Sequence, residues 1–167
     1  MKNKILSAQS IVNKLIQCTI SHIVWLPDTG ARLMYKAFEN QNDISLIPVC
    51  REGEAIAIAA GLRIGGQNSA VWLQNTGLFE SGDSIRGIGL KLELPLLLIV
   101  GYRGWLNNKP ITDSAAIYTI PILKAWGINH YLIETNDDLD KINVAYEETY
   151  AINKPVAILI GREYLKS

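Results

Sequence analysis

The chain has 167 residues, 49% hydrophobic and 19% charged, with 16 basic side chains against 16 acidic ones. That length fits one domain with a full core, and the charge balance excludes a net field that would draw nucleic acid or an anionic membrane. Cys18 and Cys50 stand far apart with no CxxC spacing and no histidine cluster, which argues against a zinc site or disulfide framework and for a reduced, cytoplasmic setting.

The N-terminal stretch "MKNKILSAQSIVNKLIQ" interrupts its apolar residues with polar ones at short intervals. It lacks the continuous apolar core of a secretion signal and predicts a helix over 7–20. "HIVWLP" (22–27) predicts a strand, followed by a helix near 29–40; "SLIPV" (45–49) predicts the next, followed by a helix over 51–64. "SAVWLQ" (69–74) leads to a helix near 80–91, and "PLLLIVG" (95–101), far too short to span a bilayer, reads as a buried strand. A helix over 114–126, the strand "HYLIE" (130–134), a helix over 136–152 and the strand "VAILIG" (156–161) complete the pattern. Strands alternating with helices imply right-handed crossovers. The expected fold class is therefore α/β, a three-layer αβα sandwich on a six-stranded, mainly parallel sheet. No repeat or Pro/Gly/Ser linker divides the chain, so 1–167 reads as a single domain.

Open α/β sheets bind ligands outside the carboxyl ends of their strands. Four loops fall there: "PDTG" (27–30), "CREGE" (50–54), "QNTG" (74–77) and "GYRGW" (101–105). Glu52 and Glu54 sit at a helix start, where unpaired N–H groups and the helix dipole favour carboxylates, and that is the commoner role for such residues. Two helical residues rotate a side chain by about 200°, so the two carboxylates do not share one pocket. At most one is catalytic. The following "AIAIAAG" has little polarity on any face, which points to a helix buried against the sheet and against another subunit. "QNTG" offers two amides and a hydroxyl to a polar heterocycle, or simply caps the next helix. "PDTG" is equally a helix cap through Asp28 or Thr29.

Together, "VWLPDTG", "CREGEAIAIAAGLRIGG", "WLQNTGLFESGDSIRGIG" and "LPLLLIVGYRG" resemble the pyrimidine-binding domain of thiamine-diphosphate enzymes. The likeness is to the α subunits of sulfopyruvate decarboxylases and the N-terminal part of phosphonopyruvate decarboxylases, and it is collinear over about residues 5–162. In those enzymes the glutamate nine residues before the glycine of the "AAG" segment touches the coenzyme; here that pair is Glu52 and Gly61, and Glu54 falls where the family varies. The resemblance implies that Glu52 is catalytic, its carboxyl hydrogen-bonded to the aminopyrimidine ring nitrogen so as to favour the imino tautomer. It implies coenzyme contacts from Pro27, Gln74, Asn75, Thr76 and Gly77 as well. Asp28 and Arg103 are the expected substrate contacts, the arginine because guanidinium binds carboxylate, sulfonate or phosphonate bidentately. The side chain of Arg51 is expected to point away from Glu52.

The reaction so implied is decarboxylation of an acidic 2-oxo acid, sulfopyruvate or phosphonopyruvate, to an aldehyde. The chain departs from the phosphonopyruvate enzymes at "DSAAI" (113–117), where they tend to carry "DExxH". Gly82-Asp83-Ser84 with Asn107-Asn108 imitates the GDG…NN metal and diphosphate motif, but "LFES" before Gly82 is not an apolar strand. No residue of this chain is therefore expected to ligate metal. Magnesium and the diphosphate are assigned to a β subunit carrying GDG…NN, in an α2β2-type assembly. His22 and His130, both at strand starts, are read as structural. The alternatives are a non-catalytic scaffold subunit and a carboligating relative.

Overall fold

The computed structural model describes residues 6–28, 32–106 and 111–161. All six predicted strands form: β1 (His22–Trp25), β2 (Ser45–Pro48), β3 (Ser69–Gln74), β4 (Leu97–Gly101), β5 (His130–Ile133) and β6 (Val156–Ile160). β1 stops short of Pro27 and β4 starts after Pro95, because proline has no N–H for a ladder. The strands run in the order β2-β1-β3-β4-β6-β5. Every pairing is parallel, so the sheet expected to be mainly parallel is wholly so.

The helices are α1 (Ala8–Gln17), which precedes β1, and α2 (Arg32–Glu39), α3 (Glu52–Ile64), α4 (Asn75–Glu80), α5 (Gly82–Ser84), α6 (Ser114–Ala125) and α7 (Asp140–Ile152) in the crossovers. A π-helical turn, Ile85–Leu90, continues α5. The helix predicted near 80–91 thus begins five residues early, at Asn75, and is broken at Ser81. Much of "QNTG" is therefore helix rather than loop. Asparagine and glycine are turn residues, and here packing under α3 and α6 overrides that preference. The proposed cap Thr29 and the Asn107-Asn108 pair lie outside the described residues.

Side chains alternate across the sheet with period two, and this divides the interior into two apolar layers. Ile23, Trp25, Ala70, Trp72, Leu97, Ile99, Val156 and Ile158 pack with α1, α2 and α7. Val24, Val71, Leu73, Leu98, Val100, Ala157 and Leu159 pack with α3, α4 and α6. Small residues bring α3 close to the strands: Ala55, Ala59 and Ala60 are buried, and the buried Ser69 Oγ donates to the Ala59 carbonyl at 2.8 Å. Along its outer side α3 exposes Ile58 and Ile64. Among the described residues no helix is long and apolar enough to cross a membrane.

Leu98 is fully buried at the centre of the sheet. Leu98→Ala is expected to lower the unfolding free energy by about 2–5 kcal/mol, through lost transfer energy and the cavity left behind. Urea denaturation followed by circular dichroism checks this.

Candidate active site

The strand order reverses between β1 and β3: the chain leaves β1 toward β2 on one side and leaves β3 toward β4 on the other. Open parallel sheets carry a crevice at such a point. Register sets how far each strand reaches into it. Trp25 pairs with Trp72, so β3 runs two residues beyond the last residue of β1 and presents Gln74 at its tip. Gln74 Nε2 donates to Asp28 Oδ2 at 3.2 Å, and Thr76 Oγ1 donates to Gln74 Oε1 at 3.1 Å. One amide thus links the ends of β1 and β3 to the first turn of α4.

The two carboxylates at the start of α3 have separate surroundings. Glu54 Oε2 accepts from the backbone N–H groups of Cys50 at 3.2 Å and Arg51 at 3.3 Å, and so caps its own helix. Glu52 is half-buried and makes no side-chain hydrogen bond among the described residues. It lies on Gly77: a Cβ built there would stand 2.5 Å from Glu52 Oε1 and 2.7 Å from its carboxyl carbon. Glycine at 77 is what allows the carboxylate this position.

Asn75, on the same turn as Gly77, is fully buried. Its Nδ2 donates to the Arg103 carbonyl at 2.9 Å, tying α4 to the loop after β4, while its Oδ1 has no hydrogen-bond partner in this structure. A buried acceptor without a partner costs about 1–3 kcal/mol, so the hydrogen bond made by Nδ2 works against a local penalty. The Arg103 side chain is half exposed and sits 3.4 Å, through Nε, from Asp113 Oδ2. Asp113 in turn caps α6 by accepting from Ala115 N–H at 2.9 Å. Pro27 is exposed at the mouth of the crevice.

The structure therefore brings Glu52 together with Gly77, Gln74 together with Asp28 and Thr76, and Asn75 together with Arg103. The imitation motif is helical at Gly82–Ser84, and Asp83 forms an ion pair with Arg86 at 2.6 Å. Among the described residues no group of three or more His, Cys, Asp or Glu is placed to hold a metal ion. His22 Nδ1 lies 2.8 Å from Ser21 Oγ at the amino end of β1, the opposite end of the strand from the crevice.

No protein-family model matches the chain. The sulfopyruvate decarboxylase subunit alpha of Methanococcus maripaludis is 28% identical over 163 residues, 95% of this chain and 96% of its own. Its counterpart from Methanocaldococcus jannaschii is 30% identical over 157 residues, covering 93% of each chain. This chain belongs to the sulfopyruvate decarboxylase α-subunit family. Among solved structures, the 2-oxoglutarate:ferredoxin oxidoreductase of Magnetococcus marinus superposes with a TM-score of 0.68 at 18% identity. That match covers 92% of this chain and 28% of the oxidoreductase chain, and it shows a shared fold.

Two features of this α-subunit chain were not legible in the sequence. An open cavity of about 790 Å³ lies at the β2 edge, lined by Trp25, Asp28, Tyr35, Phe38, Leu46 and Pro48 among others; it meets the crevice at Asp28. Glu80, at the end of α4, bonds to Arg51 and Gly53 on either side of Glu52. The 29-position separation of Arg51 and Glu80 leaves no local pattern to read. The Arg51 guanidinium is engaged by Glu80 through two nitrogens.

Gly77→Ala tests the close approach. Alanine at a helical glycine ordinarily stabilises by about 0.5–1 kcal/mol, whereas overpacking costs about 1–3 kcal/mol. The clash with Glu52 is expected to win, giving a lower urea midpoint, and Glu52→Ala in the same chain is expected to recover the loss. A second prediction concerns pH. The Arg51 guanidinium and then the Gly53 amide hold the Glu80 carboxyl below its ordinary value. Its ionised contacts therefore stabilise the fold in full above the ordinary glutamate range, and that contribution fades as pH falls through the depressed value. The small stability gap between wild type and Glu80→Gln should be widest near neutrality and close on acidification, as followed by urea titrations at several pH values.

Proposed function

We propose that the chain is the α subunit of a two-subunit thiamine-diphosphate-dependent decarboxylase that converts a short, acidic 2-oxo acid of the sulfopyruvate type to an aldehyde and carbon dioxide. The observation that carries this reading is a half-buried carboxylate, Glu52, left without a side-chain hydrogen bond among the described residues and seated on Gly77 at the crevice. A carboxyl so placed fits the ring nitrogen of an aminopyrimidine, with which it can share a proton.

Thiamine diphosphate, when bound, supplies the electron sink that lets a 2-oxo acid lose carbon dioxide. The residues of this chain serve it from the pyrimidine side. Glu52 holds the proton shared between its carboxyl and the ring nitrogen, and Asn75 ties the first turn of α4, which carries Gly77, to the loop after β4. Gln74, Thr76 and Pro27 line the crevice beside them. Gln74 also holds Asp28 in place, next to the substrate. Arg103 faces the acidic end of the substrate: its half-exposed guanidinium, held to Asp113 through Nε, stands at the loop after β4. Guanidinium grips a sulfonate or carboxylate through a pair of donors.

No cluster suited to magnesium occurs among the described residues. We assign the metal and diphosphate to a β subunit, with the coenzyme lying across the interface. The exposed Ile58 and Ile64 of α3, the helix that Glu52 begins, are the surface we assign to that contact.

Glu52→Gln is expected to lower turnover by at least about 10²-fold, the usual scale for a lost proton-transfer group, with assembly retained. The assay uses the complex with a partner that carries a strand-terminal GDG and a later NN. Unchanged turnover rejects the assignment, and product analysis separates aldehyde release from ligation to a second carbonyl. Calorimetry with the coenzyme and magnesium should show binding in the mixture and none to the chain alone.

A further inference from the structure

Glu80 holds the residues on both sides of Glu52. Its Oε1 accepts from Arg51 Nε at 3.1 Å and Nη2 at 2.7 Å, and its Oε2 accepts from the Gly53 backbone N–H at 3.0 Å. Between these anchor points, Glu52 lies against Gly77, one turn earlier on the same helix that carries Glu80. Both oxygens of one carboxylate are thus committed to a three-residue segment whose middle member is the candidate proton donor. A Cβ at Gly53 would stand in ordinary contact, 3.6 Å, with Glu80 Oε2 and closer, at 3.1 Å, to Ser84 Oγ.

The arrangement has two physical consequences. It fixes the start of α3 against α4, and α4 carries Asn75 and Gly77, so the two halves of the crevice keep one geometry. It also occupies the cation nearest to Glu52 in sequence. Arg51 is bonded through two nitrogens to Glu80, and a guanidinium released from that pair is free to seek the adjoining carboxylate of Glu52.

We propose that Glu80 is a positioning residue for Glu52: it clamps residues 51 and 53 to α4, sets the carboxyl of Glu52 over Gly77 and keeps Arg51 off it. The proposal rests on the role given to Glu52 above. The pair is exposed, so its worth to global stability is small, and its effect belongs in catalysis, where small displacements of a reacting group are costly.

The test is a double-mutant cycle in the full α chain assembled with its partner: wild type, Glu80→Ala, Glu52→Gln and the double variant. Glu80→Ala is expected to lower kcat about 10-fold while leaving the substrate KM within about 2-fold, and to cause no further loss in the Glu52→Gln background. Hydrogen exchange of the Gly53 amide, followed by NMR on the full α chain, is expected to become about 10-fold faster in Glu80→Ala with the melting temperature nearly unchanged. Equal losses in both backgrounds would mean that Glu80 acts independently of Glu52, and overturn the proposal. No change in kcat or in Gly53 exchange overturns it too, while a large loss in Glu52→Gln would leave the role of Glu52 standing. Wild-type turnover in Glu52→Gln removes the reading on which the proposal rests. Should Glu80→Ala fail to assemble, Glu80→Gln, which removes only the charge, carries the same cycle.

Discussion

Every residue of the candidate site is set by the carboxyl end of a parallel strand, and parallel pairing puts all those ends on one side of the molecule. The reversal of strand order between β1 and β3 then opens a gap that no crossover helix fills. Register decides what lines it. Because Trp25 pairs with Trp72, the longer β3 reaches past β1 and brings the Gln74 amide to Asp28. Helices α3 and α4 begin at the same level, each presenting its first turn to the gap.

Two helix starts packed on one another account for the division of labour between Glu52 and Glu54. Rotation along the helix separates their side chains. Glu54 turns back to the N–H groups of Cys50 and Arg51, where any helix start would gain from a carboxylate. Glu52 turns toward α4 and finds Gly77, where the missing side chain leaves room. A carboxylate placed there has given up the local capping role that Glu54 keeps. The neighbouring cations are both paired, Arg51 with Glu80 and Arg103 with Asp113.

The six strands were legible because short runs of Val, Ile and Leu between Gly, Pro and polar residues are a strong signal, and all six form. The start of α4 was not, since Gln, Asn, Thr and Gly read locally as a loop and only packing beneath α3 and α6 makes them helical. The burial of Asn75 had no signal either: a polar side chain is expected at the surface, and its fully buried place depends on the carbonyl of Arg103, 28 residues away. Arg103 itself was legible as a cation at the end of β4 and illegible as a partner of Asp113, which the sequence offered only as a helix cap.

The sequence by itself determined the layered α/β plan, the strand ends where chemistry would gather, and the rule that Glu52 and Glu54 face different ways. Each of these follows from local period and local sterics. Only the tertiary structure decided which of the two carboxylates lies free against a glycine, which buried oxygen is left without a donor, and which carboxylate holds the segment around Glu52. Those facts depend on contacts between α3, α4 and the loop after β4, whose residues are some 25 to 30 positions apart in the chain. Long-range packing, rather than propensity, sets their distances.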